Sequence, residues 1–334
     1  MDLDSNQTDV DEHHVLGGGV DGYGVAMAIL YLAVCVLGLA GNSLVIVAIL
    51  KLDKMASSAT VYILNLAVAD GLFMAGLPFI ASQNFQNRWV FGDAACKAVM
   101  VLDGINQFTS AFCLAAMSVD RYMALADPLR FARWRTPRRA KAVAALLWLF
   151  SLLTILPMAL HFSAERGLCV PDLVSGARWL GVLSYTFVAG FALPFAVMTA
   201  SYAALLLGLR ARRRRLRAPP AADPESRRPE RQVADAVVAV VVVFAVCWLP
   251  FYAFNFCSLH QSGVAFARAF EWAVLLSYSW SCANPILYAC LSDAFRRHFR
   301  SLLCPAAKSP PSMQCDTERY DLNDAGERDA TVLA

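Results

Sequence analysis

Seven predominantly apolar stretches, near 25–50, 60–82, 97–126, 141–162, 179–209, 233–258 and 268–290, constrain this chain more than any other feature. Each is long enough to cross a hydrocarbon core about 30 Å thick, which takes about 20 helical residues. Backbone groups inside lipid must be paired within their own segment, and a helix achieves this residue by residue. The expected fold is therefore an all-α integral membrane protein, a bundle of seven transmembrane helices over 25–291. Of the 334 residues 58% are hydrophobic and 16% charged, and the mean hydropathy is +0.50, more apolar than an ordinary soluble domain.

An odd number of spans puts the two ends on opposite sides of the membrane, and cations mark the cytoplasmic loops. Lys51 and Lys54 follow the first span. Arg133, Arg135, Arg138, Arg139 and Lys141 follow the third, Arg210, Arg212–Arg215 and Arg217 the fifth, and Arg296, Arg297 and Arg300 the seventh. The N-terminal tail 1–24 holds Asp2, Asp4, Asp9, Asp11, Glu12 and Asp21 without Lys or Arg, so it is expected outside the cell. It has no apolar run of its own, so no cleaved signal peptide is expected and the first span would insert the chain. Asn6-Gln7-Thr8 is an N-glycosylation acceptor on that side, unless the tail is simply unmodified. The third cytoplasmic loop, 210–231, is rich in Arg, Pro and Ala and reads as flexible. It is either a solvated basic loop beside anionic lipid or a partner surface. In 292–304, Phe295, Phe299, Leu302 and Leu303 alternate with arginines, the pattern of an amphipathic helix on the inner leaflet, with Cys304 placed for palmitoylation. The tail 305–334 is polar and is expected to be disordered.

The third stretch carries the most chemistry. Asp103 and Arg121 lie 18 positions apart, about five helical turns or roughly 27 Å, which puts two charges on one face at opposite edges of the membrane. Gln107 and Ser110 fall on the same stripe, so this face turns toward protein or water. Cys96 at its outer end and Cys169 in the loop between spans four and five share an oxidising compartment, where a bridge would tether the loop over the mouth of the bundle. Asp70 lies mid-span in the second stretch, with Asn42, Asn106, Ser110, Ser281 and Asn284 at comparable depth. These imply a buried polar cluster that either holds water or a monovalent cation such as sodium at Asp70 and Ser110, or forms only interhelical hydrogen bonds. Pro157, Pro194, Pro250 and Pro285 interrupt apolar runs and predict kinks.

Asn42, Leu66-Ala67-Val68-Ala69-Asp70, Asp120-Arg121-Tyr122, Trp148, Pro194 with Tyr202, Cys247-Trp248-Leu249-Pro250 and Asn284-Pro285-Ile286-Leu287-Tyr288 fall in order, one set per span. Together they resemble the rhodopsin-like G-protein-coupled receptors from about Gly38 to Cys304. The strings Leu102–Ser110 and Tyr278–Asp293, with Phe73–Phe79 and Ala132–Arg135, resemble somatostatin receptors, nearest to subtypes three and five.

That resemblance implies a pocket in which Asp103 pairs with the lysine of a peptide's Trp-Lys turn and Gln107, one turn deeper, accepts a hydrogen bond. Gln83, Trp248, Phe251, Asn255, Phe270 and Tyr278 would line the rest; a pairing of Asp103 with Tyr278 is the competing arrangement. It further implies that span six swings about Pro250 to admit an inhibitory heterotrimeric G protein, that Arg121 is restrained by Asp120 at rest and released toward Tyr202, and that arrestin is a further partner. Asn284, Pro285 and Tyr288 complete the switch set, beside Tyr122.

The sequence departs from that pattern. Gly71 follows Asp70 where the resemblance implies an acid, Val90 stands in place of a loop proline, and Gln232, Ala234 and Asp235 replace a basic, threonine-containing run. Trp280 occupies a position of asparagine, which predicts weakened sodium binding, the indole either filling the cavity or turning away.

Other classes make different demands. A biogenic amine receptor presents hydroxyls on span five, where Thr186 is followed one turn on by Gly190. An opioid or neuropeptide B/W receptor would differ in peptide preference, and a transporter would show repeated halves. No nucleophile–base set is present and the histidines are few, so no enzyme activity, cofactor or nucleic-acid partner is expected.

Overall fold

The computed structural model describes residues 22–159, 161–164, 167–171, 176–215, 228–261, 263–291, 296–297 and 299–300. The first span is α1 (Gly22–Ala48), prolonged by a π-helical turn at Ile49–Asp53. The second span is divided into α2 (Ser58–Met74) and α3 (Leu77–Gln86). The third is α4 (Gly92–Ala126), followed by the short α5 (Pro128–Phe131); the fourth is α6 (Pro137–Ala159). A two-stranded hairpin, β1 (Phe162–Ser163) and β2 (Val170–Pro171), precedes the fifth span, which is α7 (Gly176–Phe187), a π turn at Val188–Ala192, and α8 (Leu193–Arg215). The sixth and seventh spans are α9 (Arg228–Cys257) and α10 (Val264–Leu291).

Among the described residues, six helical units are long and apolar enough to cross a membrane. The seventh, α10, has 28 residues and carries Glu271, Ser277, Ser279, Ser281 and Asn284, the polar load that sets it apart. Leucines and isoleucines such as Leu37, Leu146, Leu153 and Ile286 point outward and are exposed, the arrangement of a bundle solvated by lipid. The third span is central: α4 packs on α2, α6 and α8, while α1 packs on α2, α3 and α10, and α9 packs on α10 and α8.

The core is aromatic where spans three, five, six and seven meet, around Phe191, Phe244, Trp248, Tyr252 and Trp280. A second cluster joins spans one, two and seven through Met27, Tyr31, Phe73, Leu275 and Tyr278. Trp148 on α6 donates its indole N–H to Asn65 Oδ1 on α2 at 2.9 Å, a polar tie between spans two and four.

The prolines act as their chemistry demands. Pro157, Pro250 and Pro285 lie inside helices. Pro194 has no N–H for the carbonyl four residues back and its ring crowds that carbonyl; the ladder widens just before it, so that Leu193 N–H reaches Val188 O. Two features depart from the expectations. The second span is broken at Ala75-Gly76, where Gly76 N–H turns to Phe73 O at 2.8 Å and Pro78 opens the next helix. The basic loop 210–231 is helical at both ends, to Arg215 and from Arg228, because Arg and Ala are good helix formers and no proline intervenes before Pro219. Of the amphipathic segment 292–304 only residues 296–297 and 299–300 are described; Phe299 packs against the cluster of Val45, Ile49, Ile63 and Ala67.

Candidate functional site

At the end of the bundle that bears the disulfide, Cys96 on α4 is joined to Cys169 beside β2, with the Cα atoms 5.5 Å apart. The bridge expected from the compartment is present. The hairpin it anchors is antiparallel, Phe162 opposite Pro171 and Ser163 opposite Val170. Gln83 Oε1 accepts the Cys169 N–H at 2.8 Å, and Asp93 Oδ1 accepts the Ala164 N–H at 3.3 Å. Gln83 thus fixes the hairpin and does not line the cavity.

Beneath the hairpin lies a small cavity, partly open to the outside, bounded by α4, α6, β1, α7 and α9. Asp103, Gln107, Phe251 and Asn255 are on its wall, as the sequence reading expects. Asp103 makes no hydrogen bond or ion pair among the described residues, so the arrangement with Tyr278 is not adopted. Tyr278 instead packs edge-on to Phe73 at 4.8 Å and tilted on Tyr31 at 5.9 Å, away from the cavity wall. Phe270 stacks on Phe251 at 6.3 Å between ring centres. Trp248 meets Phe251 edge-to-face at 5.7 Å from below. Both back the wall without forming it. Asn255 spends its amide N–H on Phe251 O, 2.9 Å away.

Sequence reasoning missed the opposite wall, made by Ile155, Ala159, Phe162, Trp179 and Leu183. Gly104 permits it: a Cβ there would collide with Ile155. It also missed Tyr252, whose hydroxyl takes the Gln107 amide N–H and donates to Thr186 O at 3.0 Å. The signal available was the four-residue spacing from Trp248, which puts both on one face of α9.

Mid-bundle, the expected polar cluster is assembled. Asn284 Nδ2 donates to Asp70 Oδ2 at 2.9 Å, Asn106 Nδ2 to Ser281 Oγ at 3.0 Å, and Ser110 Oγ to Asn106 Oδ1 at 3.1 Å. Asn42 Nδ2 bonds both Gly38 O and Ser281 O at 3.0 Å. Asp70 Oδ1 is buried without a hydrogen-bond partner among the described residues, an atom suited to a small cation. Trp280, one residue before Ser281 of this cluster, packs into the aromatic core. Its ring is fully buried edge-on to Phe244, 5.5 Å between centres, and its Nε1 has no hydrogen-bond partner among the described residues.

At the opposite end the expectation for Asp120 is corrected. Its carboxylate does not pair with Arg121; Ser58 Oγ donates to Oδ1 at 2.5 Å, and Arg135 donates from Nε at 3.2 Å and from its second terminal nitrogen to Oδ2 at 3.3 Å. A guanidinium matches both carboxylate oxygens at once, and here that of Arg135 takes the place expected for Arg121. Tyr122 and Tyr202 are half-buried at this end, and Tyr288 packs between two apolar clusters. Asn6 and Cys304 lie outside the described residues, and for Gln232, Ala234 and Asp235 only the backbone, inside α9, is described.

Residues 41–288 match the family described as "7 transmembrane receptor (rhodopsin family)". Somatostatin receptor type 5 of Bos taurus is 46% identical over 298 residues, covering 86% of this chain and 79% of the relative. Somatostatin receptor type 2 of Mus musculus is 40% identical over 324 residues, covering 92% and 86%, and type 3 of Homo sapiens 45% over 288 residues, covering 84% and 68%. The fold and the comparisons define a multi-pass membrane receptor, not an enzyme. The chain belongs to the rhodopsin family of seven-transmembrane receptors and, within it, to the somatostatin receptors.

Proposed function

We propose that the chain is a plasma-membrane receptor for somatostatin-like peptides, with its N-terminus extracellular, that activates inhibitory G proteins and lowers cyclic AMP. The observation that carries this reading is Asp103, a carboxylate unpaired among the described residues and the one ionisable group on the wall of a cavity lined mainly by apolar and aromatic side chains, with Gln107, Thr186 and Asn255 as its neutral polar groups. A carboxylate so placed calls for an ammonium, and the surrounding Phe162, Trp179, Leu183 and Phe251 suit the tryptophan beside that lysine. Gln107, Asn255 and Phe251 complete the contact surface, with Phe270, Tyr278, Trp248 and Gln83 supporting it. The names of the relatives favour this ligand over an opioid, a neuropeptide B/W or an amine.

Peptide binding shifts a population between two packings, so the active packing must hold the peptide better. Span six pivots at Pro250, with Trp248 just below it, and Asn284, Pro285 and Tyr288 move with span seven. Arg121, Tyr122 and Tyr202 then face the G protein, and arrestin uses the same end. A sodium ion at Asp70 and Ser110 would supply positive charge to the resting packing; Asp70 Oδ1 fits it, while Trp280 adds no oxygen ligand. Cys304, if palmitoylated, would hold 292–304 to the inner leaflet, and Asn6 would carry glycan outside. The test is a somatostatin dose response for inhibition of cyclic AMP formation in transfected cells. A flat response, with opioid or neuropeptide B/W peptides active instead, would overturn the ligand assignment.

A further inference from the structure

Three spans meet at the floor of the cavity through one hydroxyl. The Gln107 amide on α4 donates to Tyr252 Oη on α9, and that hydroxyl donates to Thr186 O near the end of α7 at 3.0 Å. Tyr252 is only 1% exposed, held between Phe187, 5.2 Å edge-to-face, and Phe251, 5.3 Å edge-to-face. Gly190 makes the slot: a Cβ there would stand 3.1 Å from the Tyr252 hydroxyl and 3.1 Å from the Phe108 ring. So the glycine that denies span five a second hydroxyl also makes room for one from span six.

We propose that Tyr252 is the positioning residue that couples occupancy of the Asp103 pocket to span six. The proposal rests on the reading that the ligand brings an ammonium to Asp103. Gln107 lies one turn below Asp103, and an ammonium at Asp103 can donate to its carbonyl oxygen. An amide that accepts a strong hydrogen bond becomes a better donor, so the bond to Tyr252 strengthens, and the Tyr252 O–H strengthens in turn toward Thr186. The chain therefore grips α9 above Pro250 when the pocket is filled. Tyr252 stands two residues beyond Pro250, so fixing it gives the inner half of span six a fulcrum about which to swing. Because coupling is reciprocal, a G protein bound at the far end must then raise peptide affinity through the same bonds.

The experiment uses the full chain in cell membranes, with radiolabelled somatostatin and a labelled antagonist peptide, each measured with and without a non-hydrolysable GTP analogue. In Tyr252→Phe, which keeps the ring and removes the hydroxyl, the ratio of somatostatin affinity with and without G protein is expected to fall at least about five-fold, the lower end of usual allosteric coupling. Antagonist affinity should stay within about two-fold, a change of less than 0.5 kcal/mol. Gly190→Ala, which crowds the hydroxyl without touching Gln107, should lower the ratio in the same direction. An unchanged ratio in Tyr252→Phe overturns the proposal, as does a parallel fall in antagonist affinity, the signature of a merely structural tyrosine. If wild type binds no somatostatin, the function reading falls and the relay falls with it. If wild type binds and couples normally while Tyr252→Phe does the same, only the relay falls.

Discussion

Arg135 reaches back 15 residues to grip Asp120 with two nitrogens, at 3.2 and 3.3 Å, leaving Arg121 without its neighbour's carboxylate. The Asp120 side chain is 4% exposed and that of Arg135 24%, so the pair is shielded on the acid side and open on the base side. The segment around it is itself tied: Arg139 at the start of α6 lies over the Trp134 ring at 4.5 Å, and α5 starts from Asp127, which accepts the Arg130 N–H at 3.0 Å.

Arg135→Ala should lower basal G-protein activation. Stripping a buried carboxylate of its partner costs up to about 3–5 kcal/mol, and Arg121 is the replacement at hand, so it would be drawn away from the G protein. Arg135→Lys keeps a cation but not the two-pronged grip, and should fall between wild type and Arg135→Ala. Basal guanine-nucleotide exchange in membranes checks this; equal rates in all three proteins refute it.

Asp103→Asn should abolish high-affinity somatostatin binding at near-normal surface expression. Losing a desolvated charge partner costs about 2–5 kcal/mol, which converts to roughly 30-fold to several-thousand-fold in Kd. Saturation binding on surface-normalised cells reads it, and an unchanged Kd would remove the ammonium from the argument.

Sodium should regulate this receptor weakly. Trp280 is packed on Phe244 and contributes no oxygen to the cluster around Asp70. Agonist affinity measured in sodium chloride and in a large organic cation at equal ionic strength should differ little in wild type and more in Trp280→Asn. A large wild-type effect, undiminished relative to the mutant, would mean that Asp70, Ser110 and Asn284 suffice.

Cys169→Ser should loosen the hairpin more than the bundle. The bridge closes a separation of 73 residues, a loop for which loss costs about 2–4 kcal/mol, whereas Gln83 and Asp93 supply only single hydrogen bonds to the same segment. Peptide affinity is expected to drop sharply while the protein still reaches the membrane, and Gln83→Ala should have a smaller effect. Full-affinity binding by Cys169→Ser would show that the bridge is dispensable for the pocket.

The spans, the widened turn before Pro194 and the Asp103 stripe were legible because each depends on local sequence: an apolar run, a proline, a helical spacing. The disulfide was legible because two cysteines stood apart from those inside apolar spans. The wall opposite Asp103 was not, since Ile155, Phe162 and Trp179 come from three elements whose approach depends on Gly104 and on the hairpin. Nor was the Asp120–Arg135 pair, which joins a helix end to a loop with no periodic signal between them. Gly76 and Pro78 did signal the break in span two, but the apolar run across them concealed it.

The widened turn at Val188–Ala192 changes how span five can evolve. It absorbs one residue more than a regular turn, so α7 and α8 keep separate angular registers. A one-residue insertion or deletion elsewhere in a membrane helix rotates everything beyond it, exchanging lipid-facing and bundle-facing side chains. Here the turn can tighten or widen to take up the difference, and the inner half of the span, down to Arg215, keeps its face. Lineages can thus retune the outer half of this helix without re-solving the packing of the rest.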